Sequence, residues 1–434
     1  MRKNFHVELL VALLCAGSMW FYVQRVLIPY ERADSAAHQR PRGNLSDLYP
    51  RWLGARELLL HHRNPYGDDI TAEIQKGYYG RELDPARPDD PRDRQGFAYP
   101  VYVVFVLAPL IGFPFHVVQI FVYWLLAGLT AASVWLWLKA LRWELPLLAV
   151  ASCIAFALGS FPAVQGIKLQ QLSLLVAAML AASVACVAGG FLFFGGALLA
   201  LATIKPQLTW PLVAWLLLWA VSDWPARRKF VFSFALVMAL LLGGAEVVLP
   251  GWWRMFVAAI GQYHQYTQNQ SVIEVILNQL LGSAASGTVV HVSAQILSAI
   301  AVLACVPVLW NVRREPADAA GFGAATALVL ALTVLVIPMY APYNQVLLLP
   351  AILLLVRERS FFTSRSPALR AGYAMGIFAL AWQWIASLSL SFMYMWSSTW
   401  ALSRWQWPFF AIFALPVLVF VLVLLDAQRM RRAE

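Results

Sequence analysis

Long apolar segments recur along the chain and are separated by polar connections. A helix needs about 20 apolar residues to cross a bilayer, and the pattern predicts twelve spans. They are placed near residues 7–30, 115–138, 146–162, 171–189, 191–204, 207–222, 230–249, 288–311, 319–338, 343–356, 371–391 and 406–426. The further apolar segment Val101–Ile111 is too short to span, which favours an interfacial or re-entrant position. We expect an all-α polytopic membrane protein, with residues 1–434 forming a single integral membrane domain.

The composition supports this class and excludes others. Hydrophobic residues make up 61% of the 434 residues and charged residues only 12%, whereas soluble domains carry about 25% charged residues. A water-soluble globule, a disordered chain and a disulfide scaffold are excluded. The four cysteines lie far apart in apolar segments, so we expect neither a disulfide nor a metal site. In so apolar a chain, the net charge of +10 indicates a cytoplasmic membrane face rather than nucleic-acid binding.

Lysines and arginines are distributed unevenly over the loops, and this predicts the orientation. Sixteen of them occupy the termini and alternate short loops: Arg2, Lys3, Lys139, Arg142, Arg227, Arg228, Lys229, Arg313, Arg314, Arg357, Arg359, Arg365, Arg370, Arg429, Arg431 and Arg432. The other short loops hold four: Lys168, Lys205, Arg254 and Arg404. The positive-inside rule then places both termini in the cytoplasm, in an inner or plasma membrane. The large loops 31–98 and 250–287 become extracytoplasmic, where we expect the chemistry.

The loop 31–98 carries the first candidate residue, Asp47, just before an amphipathic helical pattern in residues 52–59. A carboxylate held at the membrane surface by such a helix could act as a general base. The position also suits a helix N-cap, and the pattern leaves both interpretations open. Near the end of the loop, Tyr99 in Gln95–Pro100 is either an interfacial anchor or a substrate contact.

Lys205 and Gln171 are candidates at the outer ends of apolar segments. A lysine near the membrane interior is costly unless it is paired. Lys205 therefore either neutralises an anionic leaving group such as a lipid phosphate or snorkels to the lipid headgroups. Gln171, in the outer turn Phe161–Ser173, could bind sugar hydroxyls or be an ordinary loop residue.

The loop 250–287 is rich in aromatic and amide side chains. It contains Arg254 next to two tryptophans, and the segment 262–271 includes His264, Asn269 and Gln270. Such side chains suit a carbohydrate, because apolar sugar faces stack on aromatic rings and hydroxyls bind amides. A structural role for the single histidine remains the alternative.

Short motifs occur in one order from the first predicted helix to about Pro350. They comprise Asp47 with Tyr49, Ala55 and Asn64-Pro65-Tyr66, then Phe97-Ala98-Tyr99-Pro100 with Pro109, Gln171-Leu172-Ser173, Lys205-Pro206-Gln207, Asn269-Gln270-Ser271 and Tyr343-Asn344-Gln345. In this order they resemble glycosyltransferase family 87, the polyprenol-phosphate-mannose-dependent mannosyltransferases with the GT-C fold.

The resemblance implies a GT-C-like bundle with a large first extracytoplasmic loop and a lipid-phosphate sugar donor. It also implies an acidic base in that loop, a position that Asp47 matches, and an inverting reaction without a required metal ion or cofactor. The later extracytoplasmic motif of the family often carries a histidine, or an aspartate after tyrosine. Here Asn344 follows Tyr343, which departs from that pattern.

The resulting hypothesis is a membrane glycosyltransferase acting at the outer or periplasmic face. It would move a sugar, with mannose favoured, from a polyprenyl phosphate to a hydroxyl of a glycan or glycolipid, among membrane lipids and without nucleic acid. Asp47 would be the base, and Lys205 with His264 or Arg254 would stabilise the departing phosphate. The remaining predicted substrate-binding residues are Tyr99, Gln171, Asn269, Gln270 and Tyr343. The alternative is a transporter or flippase for a lipid-linked substrate, although the chain has no internal repeat of the kind that transporters carry.

Overall fold

The structure is a computed structural model that describes residues 5–267, 270–282, 285–338 and 340–433. In this part of the chain the regular elements are helices, without a strand. The first half contains α1 Phe5–Tyr22, α2 Ile28–Ala37, α3 Tyr49–His61, α4 Asp68–Tyr79, α5 Val103–Leu107, α6 Phe115–Ala140, α7 Leu147–Leu158, α8 Phe161–Lys168, α9 Leu172–Ala188, α10 Leu192–Ala202 and α11 Pro206–Val221. The second half contains α12 Trp224–Val248, α13 Trp252–Tyr266, α14 Val272–Leu281, α15 Gly287–Val312, α16 Ala320–Val336, α17 Leu349–Arg357, α18 Arg359–Ser364, α19 Pro367–Trp396, α20 Ser398–Ser403 and α21 Ala414–Ala433. A π-helical turn, Val23–Leu27, joins α1 to α2, and 3-10 turns occupy Ala108–Leu110, Pro342–Leu348 and Trp407–Phe409.

Six helical segments among the described residues are long and apolar enough to cross a membrane. They are Phe5–Ala37, Phe115–Ala140, Trp224–Val248, Gly287–Val312, Pro367–Trp396 and Ser398–Arg429. Together, α7 and α8 form a further candidate span that is bent by 60°. Shorter apolar helices, including α9, α10, α11 and α16, complete the bundle. The chain is therefore an all-helical, multi-pass membrane protein, whereas the count of twelve spans and the orientation of the termini stay predictions.

The core of the bundle lies around α9 and α16. Every residue of α16 from Phe322 to Leu335 is buried, as expected for a helix that is apolar on all sides. Peripheral helices α12 and α15 instead expose large apolar side chains, such as Leu240 and Leu303. These outer surfaces suit contact with lipid acyl chains rather than water.

The loop 31–98 folds into a helical hairpin formed by α3 and α4. The chain leaves α3 at His62, which adopts a left-handed conformation with φ 56°, and leaves α4 at Gly80 with φ 88°. Gly77 allows close packing of the two helices, because a Cβ atom there would lie 1.9 Å from the Tyr49 hydroxyl oxygen. Arg63 closes the connection through ion pairs with acidic residues of both helices.

The amphipathic helix predicted after Asp47 is present as α3. Its predicted position on the membrane surface is wrong, because most of α3 is buried inside the protein. The segment Val101–Ile111 packs against it as the short helix α5 and a 3-10 turn. The Trp52 indole N–H donates a 3.1 Å hydrogen bond to the Leu110 carbonyl oxygen. This contact anchors α3 of the hairpin against the segment Val101–Ile111.

Candidate active site

Asp47 occupies the turn that leads into α3, at the junction between the hairpin and the bundle. Its backbone N–H donates a 2.9 Å hydrogen bond to the Leu169 carbonyl oxygen. The Tyr78 hydroxyl donates to carboxylate oxygen Oδ1 over 3.1 Å, and the Gln171 side-chain amide donates to Oδ2. The N-cap interpretation of Asp47 is wrong, because Leu48 holds that position and no side chain caps the helix. The Asp47 carboxylate is instead directed toward the bundle.

Lys205 lies directly before α11, and its ammonium group points into the protein. The side chain is only 6% exposed, and its Nζ atom donates to the Gln171 Oε1 atom over 3.0 Å and to the Ser173 hydroxyl oxygen over 2.5 Å. The Ser173 hydroxyl donates in turn to Asn344 Oδ1 over 2.9 Å. Because Gln171 binds both Asp47 and Lys205, one amide joins the predicted base to the predicted cation. Lys205 does not snorkel toward the headgroups.

The charge of Lys205 has no acidic partner within ion-pair distance among the residues that the structure describes. Two helix N-termini, those of α9 and α11, begin next to Gln171 and Lys205. Helix N-termini carry a partial positive charge of about half a unit and favour anions. This end of the site is therefore electropositive and suited to a phosphate group.

Tyr99 and Tyr343 form the aromatic wall of the site. The Lys205 Nζ atom lies 5.9 Å from the Tyr99 ring centroid and 5.2 Å from that of Tyr343, within cation–π range. The backbone carbonyl of Tyr99 accepts a 2.6 Å hydrogen bond from the Tyr66 hydroxyl. The structure thus brings five predicted site residues together: Asp47, Tyr99, Gln171, Lys205 and Tyr343.

Four residues that sequence reasoning did not single out also act on this site: Arg51 and Tyr78 through hydrogen bonds to Asp47, and Asp93 and Tyr263 through electrostatic interactions with Arg51. Arg51 follows Asp47 by one helical turn, and its guanidinium donates to the Asp47 backbone carbonyl over 3.0 Å. The four-residue spacing from Asp47 is a signal that could have identified Arg51. Tyr78, Asp93 and Tyr263 come from other segments and reach the site only through tertiary folding.

Burial is the main electrostatic influence on the two carboxyl groups. It raises the pKa of Asp47 above its ordinary value of 3.8, while Arg51, the hydrogen bonds from Gln171 and Tyr78, and Lys205 act in the opposite direction. Burial also raises the pKa of Asp93, and the nearby Asp47 charge adds to that rise. A carboxylate with a raised pKa and part of its surface still accessible is suited to accept a proton.

The other predicted substrate residues are placed differently. Arg254 is exposed on α13, with its guanidinium 5.2 Å from the Trp253 ring centroid, and His264 is exposed near the end of that helix. The carbonyl of Gln270 accepts a 3.0 Å hydrogen bond from the Tyr340 backbone N–H. Asn269 lies outside the described residues.

The described part of the chain contains no group of three or more His, Cys, Asp or Glu side chains arranged to hold a metal ion.

A carboxylate and a buried lysine joined by an amide, inside a multi-pass helical bundle, are features of a membrane enzyme. A family model, glycosyltransferase family 87, matches residues 97–338, which is more than half of the chain. The chain belongs to this family and is a membrane glycosyltransferase. The match includes Tyr99, Gln171 and Lys205 but begins after Asp47. No curated protein and no solved structure matches the chain.

Proposed function

We propose that this glycosyltransferase moves a sugar, with mannose favoured, from a polyprenyl phosphate to a hydroxyl of a glycan or glycolipid at the extracytoplasmic face. The observation that carries the proposal is the hydrogen-bonded series Asp47–Gln171–Lys205. The series holds a carboxylate near a buried lysine that has no acidic partner within ion-pair distance among the described residues, and this pairing supports the proposal. An acceptor hydroxyl and a sugar phosphate need these two groups on either side of the reacting carbon.

Asp47 acts as the general base in this proposal. The acceptor oxygen forms a bond to the anomeric carbon as its proton passes to an Asp47 carboxylate oxygen. The bond between the anomeric carbon and the phosphate oxygen breaks, and its electron pair leaves with the phosphate. A single displacement of this kind inverts the configuration at the anomeric carbon. Tyr78 and Gln171 hold the carboxylate in place for the transfer through their hydrogen bonds.

Lys205 stabilises the negative charge that develops on the departing polyprenyl phosphate. Its ammonium group is already desolvated and held by Gln171 and Ser173, so little reorganisation is needed when charge develops. The N-termini of α9 and α11 add to this field. We place the lipid chain of the donor between helices of the bundle and, as the family resemblance implies, include no metal ion or cofactor in the reaction.

The test uses the purified protein reconstituted in sealed liposomes. Polyprenyl phosphates carrying mannose, glucose or arabinose are supplied separately with a crude membrane extract as the acceptor source, and released polyprenyl phosphate is measured. We expect release that depends on the acceptor extract and is fastest with mannose. Fastest release with another sugar would refute the mannose assignment. Transport of the intact donors across the bilayer, without release of polyprenyl phosphate from any of them, would contradict the proposed reaction.

A further inference from the structure

Asp93 lies close enough to Asp47 and Arg51 for their charges to interact, and its side chain is partly accessible. Carboxylate oxygens Oδ1 and Oδ2 each accept one hydrogen bond from Gln95, over 2.9 Å from its backbone N–H and 2.8 Å from its side-chain amide. The Tyr79 hydroxyl donates to the Asp93 backbone carbonyl over 2.7 Å, which fixes the segment to α4. An ionised carboxylate accepts about four hydrogen bonds, so Asp93 retains capacity for a ligand.

Arg51 supplies an unused donor in the same region. The side chain is only 9% exposed, and its Nε atom has no hydrogen-bond partner in the part of the chain that the structure describes. The guanidinium carbon lies 4.6 Å from the Tyr99 ring centroid, and its charge interacts with Asp93, Asp47 and Tyr263. A buried donor without a partner is costly and is uncommon in folded proteins. The unpartnered Nε group therefore indicates a ligand that hydrogen-bonds there.

We propose that Asp93, Arg51 and Tyr263 form a subsite that binds two adjacent hydroxyl groups of a sugar. The Asp93 carboxylate accepts the hydrogen of one hydroxyl, and the Arg51 Nε group donates to the oxygen of its neighbour. A carboxylate beside a guanidinium matches the donor and acceptor sides of such a diol, and the rings of Tyr99 and Tyr263 provide aromatic surface for the sugar. The inference rests on the proposed function, and the diol belongs either to the transferred sugar or to the acceptor.

The test measures equilibrium binding to the intact protein in nanodiscs by calorimetry. The donor probe is farnesyl phosphate mannose and the acceptor probe is octyl mannoside, each supplied whole and with one hydroxyl removed at a time. Wild type is compared with Asp93→Ala, Asp93→Asn and Arg51→Lys. In one of the two series, we expect the wild type to lose about 10- to 100-fold in affinity when a bound hydroxyl is removed.

The decisive quantity is the coupling between hydroxyl removal and side-chain change. In Asp93→Ala and Asp93→Asn, removal of one of the two bound hydroxyls should lower the affinity by less than about threefold. In Arg51→Lys, removal of the adjacent hydroxyl should likewise lower the affinity by less than about threefold. Asp89→Ala, an exposed change in the same loop, should leave every loss as in wild type. If removal of each hydroxyl lowers the affinity equally in wild type and in all variants, in both the donor and the acceptor series, the proposed subsite is wrong. That result would not contradict the proposed function. Failure of the wild type to bind the complete donor would refute the proposed function itself.

Discussion

Replacement of Lys205 by Met tests the role of the buried cation. The change removes the ammonium group but keeps an unbranched apolar side chain of similar length. It leaves the Gln171 Oε1 atom and the Ser173 hydroxyl without their donor, while the Gln171 amide can still bind Asp47. The perturbation is therefore concentrated at the phosphate end of the site.

The expected loss of kcat follows from the role proposed for Lys205, which is to stabilise the departing phosphate in the transition state. A preorganised donor in a desolvated site contributes about 3 kcal/mol to transition-state stabilisation, or about 100- to 1000-fold in kcat. Lys205 is buried and has no acidic partner within ion-pair distance in the described residues, so we expect at least that loss. Because the phosphate carries more charge as it departs, kcat should fall more than donor affinity.

The assay follows polyprenyl phosphate release at saturating donor for wild type, Lys205→Met and Lys205→Arg. The arginine variant keeps the charge and should recover part of the rate. Lys168→Met is the matched control, because Lys168 lies at the end of α8 and pairs with Glu31 over 2.9 Å, and it should keep kcat within about threefold of wild type. A Lys205→Met enzyme with kcat as high as that control would refute the assignment.

Three further results are expected. Because only ionised Asp47 accepts a proton and burial raises its pKa above 3.8, kcat/KM should fall as pH drops through this raised pKa. The Tyr78→Phe change removes a hydrogen bond to the ionised form, so it should move the acid limb of the pH–rate profile to higher pH, and an unmoved limb would contradict Asp47 as its source. Arg227, which donates to four backbone carbonyls through two guanidinium nitrogens, holds the ends of α11 and α15 together, and Arg227→Lys should destabilise the fold by about 3 kcal/mol. Thermal unfolding in detergent measures this loss, and an unchanged Tm would show that these bonds contribute little.

Hydropathy located the long helices well but missed their polar ends. The predicted span 288–311 corresponds to Gly287–Val312, and 115–138 corresponds to Phe115–Ala140. The helix predicted at 230–249 instead begins at Trp224, because a basic first turn with a proline at its start continues the helix beyond its apolar part. Apolar content reports lipid contact and burial, so a polar helical turn that extends beyond the apolar part has no hydropathy signal.

The site was predictable only where a motif carried its own chemical signal. Lys205 stood out because a lysine next to apolar segments is costly, and Asp47 stood out because it precedes an amphipathic helical pattern in a large polar loop. Asp93 did not, because it lies in an ordinary polar loop, and the contacts that bring it to the site come from Tyr79 and from Gln75, whose side-chain amide donates to the Arg94 carbonyl over 3.1 Å. Such long-range contacts are a property of the folded hairpin and have no local sequence pattern.

The most direct test of the central claim is the rate of sugar transfer by Asp47→Asn in a single turnover. The amide keeps the shape of the side chain but cannot accept the acceptor's proton. Removal of a general base predicts a loss of about 100- to 10,000-fold in the transfer rate, with donor affinity close to that of wild type. Transfer by Asp47→Asn at nearly the wild-type rate, with the same donor and acceptor, would contradict the assignment of Asp47 as the base.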